Sequence, residues 1–257
     1  MRFPRVRPAV RRMLLCVAVL APVLLFVRAA HRGREEARRS QCVSNLNWIV
    51  FHLELYHQTN GSFPPATLPS PTLPPERRLS WLADLASSGG IAGGTSPGLD
   101  RTRGWDQPPN WPPKFPHHAF LFTACPSARP RRGSASSGLL SYVGVAGLGP
   151  DAPSLPAGHR RAGVFGDRRT TRLADISDGV AGTLMLVETA RDPGPWTAGG
   201  PASVRGVDPA TRPYLGAGRP FGGIHPAGVE AAMADGSVRL IRETIDPRVF
   251  EALSTLA

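Results

Sequence analysis

The chain of 257 residues is poor in the residue patterns that usually carry chemistry. It has three cysteines, with no Cys-x-x-Cys pair, so a zinc ribbon is excluded. No His-Glu-x-x-His is present, and no glycine-rich loop ends in lysine, so neither a zincin nor a P-loop is expected. Lysine is almost absent: Lys114 stands against 29 arginines. Aromatics make up 7% and charged residues 19%, too few charges for a long coiled coil. Beyond residue 39 no basic run interleaves with aromatics, which argues against a nucleic-acid partner. Long apolar runs are also missing, with one exception near the N-terminus.

What the chain does have is glycine and proline, 28 of each, and a formal net charge of +11. The charge is unevenly placed. Residues 1–39 hold ten arginines and two glutamates, a net of +8, and the remaining chain is nearly balanced at +3. That excess brackets the one apolar run, Met13 to Val27, which carries no charge over 15 residues. Extended to Ala30 it is 18 residues, about 27 Å as a helix, long enough for a short span if Arg28 snorkels. Five arginines precede it, which predicts an N-terminus in the cytoplasm and the rest outside. The competing reading is a signal peptide cut after Ala29, although Arg28 and four further arginines flank that site. The expected organisation is therefore a basic cytoplasmic segment (1–12), an anchor (13–30), a helix extending from it (31–60) and an extracytoplasmic domain (61–257).

Val43, Leu46, Ile49, Val50, Leu53 and Tyr56 recur at three- and four-residue steps, one stripe of a helix reaching about His57. Asn60-Gly61 and Pro64-Pro65 stop it. Loops dominate from 61 to 113, broken by a short amphipathic element at Leu79–Leu85, and residues 126–138 read as a surface loop that includes Arg129, Arg131 and Arg132. Leu139–Val145 and Thr183–Thr189 are strand candidates. Val229–Arg242 alternates on both sides of Asp235-Gly236, the pattern of a hairpin with a two-residue turn. Pro247–Leu256 closes the chain as a short helix. The predicted class is α+β, with a long N-terminal helix packed on a loop-rich, mostly antiparallel sheet.

Several stretches resemble an uncharacterised bacterial family with a prepilin-type, type II secretion pseudopilin-like N-terminus and a C-terminal His-x9-Asp-Gly signature. They are Arg38-Arg39-Ser40-Gln41-Cys42 to Asn45-Leu46, Tyr56-His57, Gly61-Ser62-Phe63-Pro64-Pro65, Ser80-Trp81, Cys125-Pro126-Ser127 and Ser141-Tyr142-Val143-Gly144. Asp175-Ile176-Ser177-Asp178-Gly179 leading to Glu188-Thr189, Gly194 to Gly200, and His225 followed by Asp235-Gly236 complete the set. The resemblance implies a pseudopilin-like architecture held in the cytoplasmic membrane by one pass, with a periplasmic domain and a structural or interaction role. Self-association or contact with other envelope proteins is implied too. The cleavage motif of prepilins is not there: Pro8-Ala9-Val10-Arg11-Arg12-Met13 precedes the apolar run. That argues against peptidase processing and filament assembly. Val180-Ala181-Gly182 stands where the family has Ser-Asn.

Few residues stand out as site candidates. Cys42 and Cys125 lie beyond the apolar run, where an oxidising compartment permits a bridge; the alternative is two free buried thiols. Cys16 lies inside the run. His225 reads first as a structural histidine and second as a ligand, and Asp235 first as a turn residue. Asp175, Asp178 and Gly179 form a loop in which Ca²⁺ binding is conceivable, although the spacing matches no specific calcium loop. No other cofactor and no defined metal ligand set are indicated, and no enzyme is expected. The alternative function is an extracytoplasmic binding module for calcium or glycan, with a site around Asp178, His225 and Asp235.

Overall fold

The computed structural model describes residues 8–88, 98–111, 122–128, 138–226 and 228–257, with side chains from Val17 onward. Residues 1–7 of the basic segment, the Cys16 side chain and the arginines at 129, 131 and 132 lie outside the described residues.

Helix α1 runs unbroken over Pro8–Asn60, so the apolar run and the stripe after it form one element of 53 residues. At ~1.5 Å per residue it is about 80 Å long. Its two halves have opposite surroundings. Every residue from 17 to 29 is exposed, with Leu25 at 66% and Phe26 at 74%. From Cys42 on, one face is covered: Cys42, Leu46, Ile49, Val50 and Leu53 are buried. The buried stripe is the predicted one, except that Val43 and Tyr56 are half-buried and Cys42 is buried in addition. The helix ends one turn beyond His57, where Gly61 takes φ +77° and donates its N–H to the His57 carbonyl at 2.8 Å. Among the described residues no helix is long and apolar enough to cross a membrane. The apolar run begins at Met13, ahead of the first described side chain.

Five strands make one sheet: β1 (Tyr142–Leu148), β2 (Leu184–Glu188), β3 (Val204–Val207), β4 (Val229–Met233) and β5 (Val238–Ile241), in the order β3-β1-β2-β4-β5. The pairs β1/β2, β2/β4 and β4/β5 are antiparallel and β1/β3 alone is parallel, so the sheet is mixed but mostly antiparallel, as expected. The cause of the parallel pair is the segment after β2, which carries the chain past β1 before β3 begins. β3 itself escapes sequence reading. It has four residues with Arg205 and Gly206 in the middle, so it neither alternates nor forms an apolar run.

Both faces of the sheet are covered. On one side Leu46, Ile49 and Leu53 of α1, with Trp81 and Phe165, pack against Tyr142, Ala146, Met185 and Ala232. On the other, Val143, Val145, Val187 and Ala231 meet Tyr214, Phe221 and Phe250. Phe250 comes from helix α3 (Pro247–Leu253), capped by Asp246, whose side chain accepts from the Arg248 N–H. Helix α2 (Trp81–Ser87) falls where the amphipathic element was predicted; Ser80 caps it and accepts from the Ala83 N–H at 3.2 Å. The α+β architecture is as predicted.

The β4/β5 turn differs from the two-residue form. Met233 donates its N–H to the Ser237 carbonyl, and Gly236 donates to the Met233 carbonyl. The loop is therefore three residues, Ala234-Asp235-Gly236, with Gly236 in the left-handed region at φ +85°.

Candidate functional site

The helical spacing of Glu35, Arg39 and Cys42 puts all three on one face of α1, toward the sheet. Cys42 is bonded to Cys125, with Cα atoms 5.4 Å apart. The disulfide joins the helix to the loop ahead of β1, and both cysteines are buried. The Cys125 N–H donates to Ser141 Oγ at 3.0 Å, and Asn45 Nδ2 donates to the Ala124 carbonyl at 3.1 Å, which fixes that loop against α1.

His225, just before β4, closes over the disulfide. Its Nε2 lies 3.3 Å from Cys125 Sγ and 3.4 Å from Cys42 Sγ. Nδ1 is 2.6 Å from Glu35 Oε1. At the end of β2, Glu188 places Oε1 3.6 Å from Nε2, an ion-pair distance too long for a hydrogen bond. The other Glu188 oxygen accepts the Glu230 N–H at 2.9 Å, and the Glu230 carboxylate is paired with Arg39. The His225 side chain is 1% exposed. Burial pushes its pKa down, but the carboxylates of Glu188 and Glu35 facing its two ring nitrogens outweigh that and hold it above the ordinary 6.5. A cavity of about 570 Å³ opens beside the cluster, walled in part by Glu35, Arg38, Ala124, Ser127 and Ile224.

The bridge left open by the sequence is thus formed, and His225 belongs to it. Asp235 and Gly236 lie elsewhere. A Cβ on Gly236 would come within 2.3 Å of Glu54 Oε1, whereas His225 touches Cys42. Those two residues of α1 are about 18 Å apart along the helix. The nine residues between His225 and Asp235 contain β4, so the signature pins the two ends of that strand to two levels of α1. Asp235 accepts from Ser237 N–H and Oγ at 2.9 and 2.6 Å, the turn role expected of it. Asp175 is committed to Arg172, whose backbone N–H it accepts at 2.8 Å and whose guanidinium it pairs at 3.1 Å. The Asp178 N–H bonds the Leu256 carbonyl, and Gly179 at φ +88° leads into a short 3-10 turn. Asp175, Asp178 and Asp235 are not in the one potential ligand group found among the described residues.

Sequence reading did not single out Glu35, Arg39, Glu188 or Glu230 as site residues. The spacing of Glu35, Arg39 and Cys42 on one helix face was the available signal. Nothing local links Glu188 to Cys42, because that contact is made by the packing of β2 beside β4.

A long helix, packed by its second half on a five-stranded mixed sheet and bonded by a buried disulfide to the loop ahead of β1, defines an α+β protein. The chain belongs to the family described as Protein of unknown function (DUF1559), whose model matches residues 31–211 and 197–248. No curated protein and no solved structure gives a significant match.

Proposed function

We propose that this chain is an envelope protein of pseudopilin-like build. It is anchored in the cytoplasmic membrane by the first half of α1, and its domain outside holds or contacts other proteins without acting as an enzyme. The observation that carries this reading is the contrast along α1: residues 17–29 are exposed on all sides, apolar up to Val27, with arginines at both ends of the run. An apolar helix with no covering face has no stable place in water, and a bilayer supplies one. Arginine-rich flanks on the short N-terminal side favour that side staying in the cytoplasm. The buried disulfide supports an oxidising compartment for the domain. A structural or interaction role is supported by the state of the best-defined cluster, in which the disulfide and the His225 ring are paired within the fold and hidden from solvent. Self-association and docking with other envelope proteins are the partners this reading entails.

Carbonate washing of membranes tests the anchor. The full-length protein should stay in the pellet. Release into the supernatant, at full length or as a shorter form, would contradict an uncleaved anchor, and the shorter form would identify a signal peptide.

A further inference from the structure

Cys42, Cys125, His225 and Glu188 are the one group of three or more potential metal ligands among the described residues, and their ligand atoms lie within 4.8 Å of one another. Around a tetrahedral Zn²⁺ with bonds of about 2.0–2.3 Å, adjacent ligand atoms stand about 3.3–3.8 Å apart. His225 Nε2 already meets that spacing, at 3.3 and 3.4 Å from the sulfurs and 3.6 Å from Glu188 Oε1.

Two further observations point to a ligand. Glu188 Oε1 is buried and makes no hydrogen bond, although its companion oxygen is satisfied by the Glu230 N–H. With only the 3.6 Å contact to His225 Nε2 in place of a hydrogen bond, this acceptor is costly to bury unless something else engages it. In addition, His225 turns its other nitrogen to the Glu35 carboxylate at 2.6 Å. That is the outer contact that orients metal-bound histidines and raises their basicity.

We propose that, once the Cys42–Cys125 bond is reduced, these four residues bind one divalent ion of the zinc type as a closed site of two thiolates, one imidazole and one carboxylate. A dithiol reductant supplies two electrons and two protons, the S–S bond breaks, and the dithiol becomes a disulfide. The ion then displaces both thiol protons to solvent as two sulfur–metal bonds form, and Nε2 and Oε1 complete the shell. The disulfide and the ion exclude one another, so the same residues join α1 to the sheet in either redox state. All four positions come from the protein, which makes the site structural and leaves no open position for a substrate.

The test uses the full-length chain in detergent, air-oxidised or reduced with a phosphine, titrated with Co²⁺ and then Zn²⁺. The reduced chain should develop a thiolate-to-cobalt charge-transfer band saturating at one equivalent, bleached by Zn²⁺; the oxidised chain should show none. Glu35→Gln, at a partly exposed position, should weaken binding about 10- to 100-fold, and Glu188→Gln by at least about 10-fold, with circular dichroism showing both folded. A reduced chain that unfolds and is refolded by one equivalent of Zn²⁺ supports the site equally. A reduced chain that shows no such band, or unfolds and is not rescued by metal, overturns it. So does an affinity unchanged in both variants.

Discussion

At the scale of single residues, one buried arginine that the sequence does not mark ties several segments of the domain together. Arg169 is 5% exposed and its guanidinium donates to the carbonyls of Ala146, Ala152, Leu155, Gly163 and Phe165. Burial lowers its pKa to about 10, so it stays charged at neutral pH. One planar fork thus satisfies five carbonyls, that of Ala146 in β1 and four from the segments beside it, a geometry that lysine does not reproduce. Arg169→Ala should cost at least about 3 kcal/mol in urea unfolding, with Arg169→Lys recovering less than half of it; full rescue by lysine would show that charge alone matters. Asp175 offers a pH prediction. The Arg172 backbone N–H, then its guanidinium, hold this carboxyl below the ordinary carboxylate value. Its stabilisation is therefore complete above the unfolded-state pKa and lost as pH falls through the lower folded-state value. Asp175→Asn should flatten the acid limb of the stability curve; a carboxyl resonance titrating at the ordinary value would contradict the assigned contact.

At the scale of elements, the fold was legible wherever a pattern is local. The α1 stripe, the short helices and the β4/β5 hairpin announce themselves by period, cap and turn residues. Strand β3 does not, because its place beside β1 is decided by the chain's path and not by its own four residues. The site was half legible for the same reason. Cys42, Cys125 and His225 were visible as candidates, but Glu188 and Glu35 joined them only through packing, and Asp235 proved to serve the turn. Gly236 tests that turn. At φ +85°, with Glu54 Oε1 2.3 Å from where a Cβ would sit, Gly236→Ala should lose about 1–2 kcal/mol; an unchanged melting curve would mean the three-residue loop is wrong. The disulfide closes a loop across a separation of 83 residues and joins two elements that are far apart in the chain. By loop entropy its removal in the double variant Cys42→Ser/Cys125→Ser should cost about 4 kcal/mol, measured without added metal. A loss below about 1 kcal/mol would show that the unfolded chain is already held together there.

At the scale of the whole molecule, the excess of charge and the one apolar run belong together. Removed from their context, +11 and a pI near 11.1 suggest nucleic acid. Laid along the sequence, the charge flanks an apolar run whose described residues, 17–27, are all exposed, and the chain beyond residue 39 is nearly neutral. The richness in glycine and proline resolves in the same way, into loops that wrap both faces of a small sheet. The proposed function is therefore at bottom a proposal about topology: a single helix would hold the disulfide-bonded domain on the outer side of the cytoplasmic membrane. Protease added to intact spheroplasts of cells making the full-length chain tests it most directly. The account predicts that the domain is digested from outside and that a short N-terminal fragment remains with the membrane. A chain left whole until the membrane is broken by detergent would place the domain in the cytoplasm and contradict it.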